Sequence, residues 1–149
     1  MKFKFSLASV LNHREVLKRN AEIALGKEVQ KLIRLQNERQ NLIEEYKNLV
    51  ACRGGINTNN AEGFVEFINY AQKLKDLTAK KNADIKKQEA EVEKARAELI
   101  KKTQEKKALE ILQDSQKAAF KLAEKRTEAK QTDEAANQKF FRSKIQNAD

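Results

Sequence analysis

The stretch Arg53-Gly-Gly-Ile-Asn-Thr-Asn-Asn60 decides the fold, because it is the one strong interruption between two long helical patterns. Glycine and asparagine tolerate the positive φ angles that tight turns require. Gly54 suits the C′ position that ends a helix, and Asn59 followed by Glu62 resembles the capping box that opens one. The stretch therefore predicts a single chain reversal at about residues 53–60, joining two antiparallel helices in a hairpin.

The segment before the reversal, from about residue 6 to residue 52, carries apolar residues at heptad spacing. Ser6 is a suitable N-cap for this helix. Eight of the twelve seam positions are apolar, and the charged exceptions indicate a two-stranded coil of moderate stability. The predicted seam consists of Leu11, Arg14, Lys18, Ala21, Leu25, Glu28, Leu32, Leu35, Arg39, Leu42, Tyr46 and Leu49.

The segment after the reversal predicts a second helix from about residue 61 to residue 144. Its pattern weakens around Asp76–Asp84, which favours a kink or a short break there. The second helix is too long for the first to cover, so part of 61–80 forms a separate short helix at the turn, the C-terminal end projects beyond the N-terminus, or both. Its predicted seam consists of Phe64, Phe67, Ala71, Leu74, Ile85, Gln88, Val92, Ala95, Leu99, Lys106, Leu109, Gln116, Phe120 and Ala123.

The composition supports a single elongated, all-α, antiparallel two-helix coiled-coil domain over residues 1–149. Charged residues make up 36% of the chain, aromatic residues 6%, and proline is absent, which is typical of long helices. Basic and acidic residues are interspersed along the chain, which favours a solvated helix surface of mixed sign. The net charge of +9 favours, less strongly, an acidic protein, nucleic acid or lipid partner. No signal peptide or membrane-spanning run is recognisable, so we expect a cytoplasmic location.

The residues that carry catalysis in other proteins do not form a constellation here. The single histidine, His13, cannot supply a pair of metal ligands. The single cysteine, Cys52, has no partner for an internal disulfide. We therefore expect no enzyme activity, no catalytic residues, no cofactor and no metal site. The spacing of the phenylalanines indicates core or partner contacts rather than base stacking, so nucleic-acid binding is not expected.

Three stretches resemble the flagellar FliJ family, the small coiled-coil proteins of the type III flagellar export apparatus. The opening Phe3-Lys-Phe-Ser-Leu-Ala-Ser-Val-Leu-Asn-His-Arg14-Glu15 is similar to the family's F-x-L-x-x-V-L-x-x-R start. The stretch Phe67-Ile-Asn-Tyr70-Ala-Gln-Lys-Leu74 is similar to its I-N-Y region. Residues 112–126, followed by Asp133-Glu134, look like its L-Q-D…A-E-x-R…D-E-x-A block. The resemblance covers nearly the whole chain.

The resemblance implies an antiparallel coiled coil similar to the central stalk of rotary ATPases. It implies that the end carrying both termini is held by the export ATPase ring. It also implies contacts with the cytoplasmic domain of the export gate membrane protein and with export chaperones, and a peripheral position on the inner face of the cell membrane at the flagellar base. The Lys-rich stretch 80–107 departs from the family pattern, so gate-binding residues do not transfer in detail.

Two groups of residues are the candidate binding sites under this resemblance. The first group, here called the basic collar, would lie at the termini and hold the ATPase ring: Arg14, Lys18, Arg19, Lys121, Lys125, Arg126 and Lys130. Antiparallel pairing is expected to bring its two halves to the same level. The second group, here called the gate group, lies near the reversal and is either hairpin core or a gate-binding surface: Tyr46, Leu49, Tyr70, Leu74 and Leu77.

Two other classes of function remain open from the sequence. One is a generic chaperone-like or scaffold coiled coil, for which the C-terminal block would have no evident use. The other is a basic nucleic-acid or membrane-surface binder, whose binding would depend steeply on salt. The evenly mixed charge argues against the second class.

Overall fold

The fold consists of two long helices and contains no strand in the residues described. A computed structural model describes residues 1–52 and 61–148. Helix α1 spans Ala8–Ala51, with 44 residues, and helix α2 spans Ala61–Gln146, with 86 residues. The reversal expected at 53–60, including Gly54, lies outside the described residues. Helix α1 begins two residues after Ser6, and the carbonyl of Leu7 accepts the first helical hydrogen bond from the amide of Leu11 at 2.9 Å.

The chain separates into two compact units, in each of which both helices take part. One unit contains Met1–Glu15 and Gln104–Asp149, and the other contains Val16–Thr103. In the second unit Glu45 contacts Tyr70, whereas Glu28 contacts Gln88. Residue numbers therefore rise along one helix as they fall along the other, and the helices are antiparallel. The expected helical-hairpin coiled coil is confirmed.

The predicted seam of α1 is confirmed at every position. All twelve of its residues are buried or half-buried, including the charged ones, and Ala21 is the most buried. Apolar residues at heptad spacing bury a continuous stripe against a neighbouring helix. Three of the four charged seam residues have polar partners on the other helix: Arg14 pairs with Glu105, Glu28 accepts a hydrogen bond from Gln88, and Arg39 donates one to Asn82.

Helix α2 is continuous through Asp76–Asp84, so the short break that was one of the two expectations for this segment is absent. Thr78 and Lys81 continue the heptad spacing between Leu74 and Ile85, and both are half-buried. The Thr78 hydroxyl donates to the carbonyl of Leu74 at 2.8 Å, and the Lys81 ammonium pairs with the carboxylate of Glu38. The pattern looked weak because polar residues occupy the seam, not because the helix stops.

Three positions of the predicted α2 seam are wrong, because their side chains are exposed: Phe64, Gln116 and Ala123. The best-packed residues are Leu74, Ile85 and Val92, which are 2%, 4% and 5% exposed. Burying such side chains contributes about 1.5–3 kcal/mol each to the stability of the folded state. The core of the hairpin is therefore a single line of apolar contacts.

A glycine inside α1 predicts a simple way to stabilise the fold. Gly26 is exposed in the middle of the helix, and a Cβ added there would meet no atom within 4 Å. Because glycine in a helix interior costs roughly 0.5–1 kcal/mol relative to alanine, we expect Gly26→Ala to raise the free energy of unfolding by about that amount. Denaturant unfolding measures this change, and Ala24→Gly, two residues earlier, should lower stability by a similar amount. A Gly26→Ala variant that is less stable than the parent chain would contradict the prediction.

A polar layer in the seam joins the side chains of Gln88 and Glu28. The Gln88 amide donates to the Glu28 carboxylate at 2.6 Å and to its backbone carbonyl at 2.9 Å. This hydrogen bond, followed by that from Lys31, lowers the pKa of Glu28 below its ordinary value of 4.5. A hydrogen bond to the charged form favours that form, so the layer is strongest while Glu28 is ionised.

The Glu28 layer predicts a specific dependence of stability on pH. Because the folded-state pKa lies below the unfolded one, the contribution is present above the unfolded pKa and is lost as pH falls through the folded pKa. We expect Gln88→Leu to move the pKa of Glu28 upward and to reduce the acid-dependent loss of stability. An NMR titration of the Glu28 carboxyl measures the shift, and Gln40→Leu is a surface control. An unchanged Glu28 pKa in Gln88→Leu would refute this account of the layer.

Candidate functional site

The first half of the basic collar is engaged in an ion-pair layer between the helices. Arg14 is paired with Glu105 at 2.7 Å, and both side chains are about one-third exposed. Next to this pair, the Lys106 ammonium binds the carboxylate of Glu15 and lies 3.3 Å from that of Glu110. These carboxylates, chiefly that of Glu15, raise the pKa of Lys106. The charge of Arg14 is therefore largely balanced by residues of its own chain.

The second half of the collar does not lie at the level of Arg14. Lys121, Lys125, Arg126 and Lys130 are all exposed, further along α2. Sixteen residues separate Glu105, the partner of Arg14, from Lys121, which corresponds to about 24 Å along the helix. The expectation that antiparallel pairing assembles one collar with Arg14 is therefore wrong. Lys18, which lies 3.7 Å from Glu22, and the exposed Arg19 belong to the other unit.

A small aromatic cluster occupies the level where the collar was expected to begin. The rings of Phe3 and Phe120 lie 5.7 Å apart, tilted by 52°, and Phe5 is 9% exposed. Met1 and Phe120 line a shallow groove on α2 together with Ala123. The alternating Phe3-Lys-Phe5 opening was the available signal, because an apolar residue just before a helix often packs against its neighbour.

Helix α2 continues beyond this cluster as a stretch whose side chains are all exposed. Every residue from 121 to 146 is exposed, including Leu122, Phe140, Phe141 and Ile145. Of the two arrangements considered for the excess length of α2, this agrees with the projecting C-terminal end, since α2 is continuous from Ala61. The stretch 121–146 contains seven basic and four acidic side chains.

The gate group divides into a core residue and several surface residues. Leu74 is 2% exposed and belongs to the core. Tyr46 and Leu49 are half-buried, and the Lys75 ammonium lies 5.5 Å from the centre of the Tyr46 ring. Tyr70 and Leu77 are exposed. Of this group, four residues can therefore reach a partner, and Leu74 cannot.

The Tyr70 hydroxyl donates a hydrogen bond to the carboxylate of Glu45 across the helix pair. This bond raises the pKa of Tyr70, because the neighbouring negative charge favours the protonated phenol. The exposed side chains of Phe64, Val65 and Ile68 lie two to six residues earlier on α2. Sequence reasoning missed Val65 and Ile68 and assigned Phe64 to the seam, because an exposed apolar residue cannot be told from a core one by composition.

The candidate sites on the described residues are exposed surfaces. Among residues 1–52 and 61–148, no group of three or more His, Cys, Asp or Glu side chains could hold a metal ion. Within the same part of the chain, neither helix has a stretch apolar enough to cross a bilayer. Fold and site together define a helical-hairpin coiled coil whose candidate sites are a projecting helix and an exposed apolar group.

Comparison with known proteins identifies the family. The family described as "Flagellar FliJ protein" matches residues 3–144, nearly the whole chain. The chain therefore belongs to the FliJ family and is a component of the flagellar export apparatus. The searches of curated proteins and of solved structures gave no match.

Proposed function

We propose that this chain is a non-catalytic, stalk-like part of the flagellar export apparatus. It binds the export ATPase ring and links it to the cytoplasmic domain of the export gate and to export chaperones. Family membership supports a place in the apparatus. In this proposal the chain lies at the flagellar base, peripherally associated with the inner face of the membrane. The resemblance alone supports the export chaperones as partners.

The observation that carries the proposal is the unaccompanied stretch 121–146 of α2. Isolated helices are marginally stable in water, and most helices in proteins are stabilised by packing an apolar face. A helix of this length whose side chains are all exposed therefore favours a partner that surrounds it. A ring with a central opening has the right geometry for one projecting helix, and the termini-proximal end is the end that the family resemblance assigns to it.

The charges of this stretch favour a ring opening lined by acidic groups. Lys121, Lys125, Arg126 and Lys130 lie within three turns of exposed helix. Exposed ion pairs are worth about 0.2–1 kcal/mol each, so several together are needed for useful affinity. Such pairs weaken as salt rises. In the revised site, Arg14 does not contact the ring directly, because Glu105 already holds it.

The exposed apolar group near the start of α2 is the proposed gate-binding surface. It comprises Phe64, Val65, Ile68, Tyr70 and Leu77, flanked by Tyr46 and Leu49. Exposed apolar side chains are typical of protein-binding surfaces. At about 100° per residue, Phe64, Val65 and Ile68 lie on one side of α2, whereas Tyr70 and Leu77 lie on the opposite side of its seam. The two proposed surfaces lie on separate units of the chain, so one can be changed without altering the other.

The proposal is tested by reversing the four basic side chains of the projecting helix. We expect Lys121→Glu, Lys125→Glu, Arg126→Glu and Lys130→Glu, combined in one chain, to weaken binding to the export ATPase by roughly tenfold or more at low salt. Stimulation of ATP hydrolysis should fall in parallel. Circular dichroism should show unchanged helicity, since all four side chains are exposed.

A second combined variant provides the reciprocal control. Val65→Glu with Ile68→Glu should lose binding to the cytoplasmic domain of the export gate and keep binding to the ATPase. The fourfold variant should show the opposite pattern. If the fourfold variant binds the ATPase as well as the parent chain does at low salt, the projecting helix is not the ATPase-binding site.

A further inference from the structure

The side of α1 that points away from α2 carries apolar side chains of its own. In the heptad frame that puts Leu11 at position a, positions b, c and f lie furthest from the partner helix. The outer face of α1 is here defined as the b, c and f positions from Val16 to Asn41, and all of them are exposed. Val16, Ile23 and Ile33 lie on this face and are 51%, 53% and 49% exposed.

The charged groups of α1 are divided between the seam side and the outer face. No position of the outer face holds a carboxylate, whereas Lys27 and Arg34 lie on it. The carboxylates of the same part of the helix lie beside the seam, where those of Glu28 and Glu38 contact polar side chains of α2. The outer face therefore combines exposed aliphatic side chains with positive charge alone.

Gly26 lies in the middle of the outer face, between Ile23 and Ile33. Glycine inside a helix is less favourable than alanine, and a Cβ added at Gly26 would meet no atom within 4 Å. The packing of the described residues therefore does not require a small residue there. A missing side chain between two large ones leaves a recess, over which the backbone of another helix can approach closely.

Charge and side-chain chemistry together select the kind of partner. The same face of a second copy would bring cations against cations. A lipid surface would bury the amides of Asn20 and Gln30, which lie among the apolar residues, without hydrogen-bond partners. Nucleic-acid phosphates would match the cations but would leave Ile23 and Ile33 without an apolar contact. A protein helix with an apolar stripe and acidic flanks satisfies the apolar and the cationic groups at once.

We propose that the outer face of α1 binds an amphipathic, acidic helix of another protein. The apolar stripe of that helix packs on Ile23 and Ile33 and crosses α1 at close range over Gly26. Carboxylates on its flank pair with Lys27 and Arg34, which lie one heptad apart on one side of the apolar residues. The proposal does not depend on the proposed ATPase or gate contacts.

Fluorescence anisotropy of a labelled synthetic peptide mixed with the full chain tests the proposal. The probe is a helical peptide of about 25 residues, long enough to span the outer face, with leucines at heptad spacing and glutamates beside them. The comparison peptide has the same composition in scrambled order. We expect the amphipathic peptide to bind about tenfold more tightly or better. Equal affinities for the two peptides would overturn the proposal.

Two matched pairs of glutamates locate the apolar contact. Ile23→Glu with Ile33→Glu should weaken binding of the amphipathic peptide by about tenfold or more, because both place a carboxylate against the acidic helix. Ile111→Glu with Leu122→Glu makes the same kind of change at side chains of α2 that are 61% and 52% exposed. This control should bind the peptide like the parent chain. Equal losses in the two variants contradict binding at the outer face.

Two matched charge reversals separate a specific site from the general attraction of a basic chain. Lys27→Glu with Arg34→Glu should weaken binding by about tenfold or more at low salt. Lys80→Glu with Lys87→Glu changes the charge equally, with the same spacing, at exposed positions of α2. This second variant should lose much less. If both lose affinity equally, the peptide is held by net charge and the proposal is wrong.

Gly26→Gln separates binding from folding. The variant should unfold at a higher urea concentration than the parent chain, because glutamine favours a helix over glycine. It should nevertheless bind the amphipathic peptide about fivefold or more weakly, since the added side chain fills the recess and keeps the helices apart. Unchanged affinity would refute the close approach at Gly26.

Vesicles of phosphatidylglycerol provide the lipid arm of the test. We expect the parent chain and the Ile23→Glu with Ile33→Glu variant to sediment with these vesicles to the same extent. Vesicle binding that this variant abolishes would assign the outer face to lipid and overturn the proposal. No ATPase or gate protein is present in any of these assays, so their outcomes are separate from those of the proposed function.

Discussion

Replacing Leu74 with alanine is expected to lower the free energy of unfolding by about 2–5 kcal/mol, the usual range for a buried leucine. Leu74 is 2% exposed, the lowest value among the core residues. The change removes apolar contacts and leaves a cavity that a two-helix seam can close only by bringing the helices together. The loss should appear as a lower midpoint in urea unfolding, with the helical signal of the folded state unchanged at low denaturant.

Leu77 supplies the matched control for Leu74, because it is the same residue type, one turn later on the same helix. It is 38% exposed, so Leu77→Ala should cost much less, since less apolar surface returns to water. If the proposed gate surface is correct, Leu77→Ala weakens gate binding more than it weakens the fold, whereas Leu74→Ala acts first on stability. Equal losses of stability at the two positions would mean that Leu74 is not in the core.

Placing proline at Leu42 is expected to cost about 3 kcal/mol or more. Leu42 is a half-buried seam residue well inside α1. Proline lacks the amide hydrogen for the helical bond and its ring collides with the preceding turn. The change therefore breaks the helix and separates the seam on both sides. Circular dichroism should show lost helicity together with a lower unfolding midpoint.

The first residue of α1 provides the control for proline. Ala8→Pro loses the 3.2 Å hydrogen bond from the Ala8 amide to the carbonyl of Phe5. Proline is otherwise well suited to the first helical position, where its fixed φ matches the helix. We expect a much smaller loss of stability than at Leu42. Comparable damage at both positions would show that the cost comes from the N-terminal contacts rather than from the helical seam.

The buried seam of α1 could be predicted from the sequence alone. Heptad spacing from Leu11 to Leu49 is a local property, since side chains three and four residues apart share one face of any helix. Every predicted seam residue of α1 is buried or half-buried. The pattern at Asp76–Asp84 is misleading because polar residue types fill seam positions while the heptad spacing continues. Thr78 and Lys81 keep the heptad frame even though neither is apolar.

The gate group shows a second limit of sequence reasoning. Leu74 and Leu77 are both leucines near the reversal, and no pattern within one helix states how closely the other helix approaches each of them. The structure separates them into a core and a surface residue. Val65 and Ile68 could have been noticed as apolar residues outside the seam frame, and this is the signal that was available for the exposed apolar group.

The sequence alone determined that this protein is a pair of long helices with one reversal, because helix spacing and turn residues act over a few residues. Only the tertiary structure decided the register between the helices. A heptad pattern shifted by seven residues buries a similar stripe, so the register depends on polar partners such as Glu28 with Gln88 and Arg14 with Glu105. That register places Phe120 beside Phe3 and leaves 121–146 without a covering helix. It is the reason that the basic residues form a projecting helix and not a collar around Arg14.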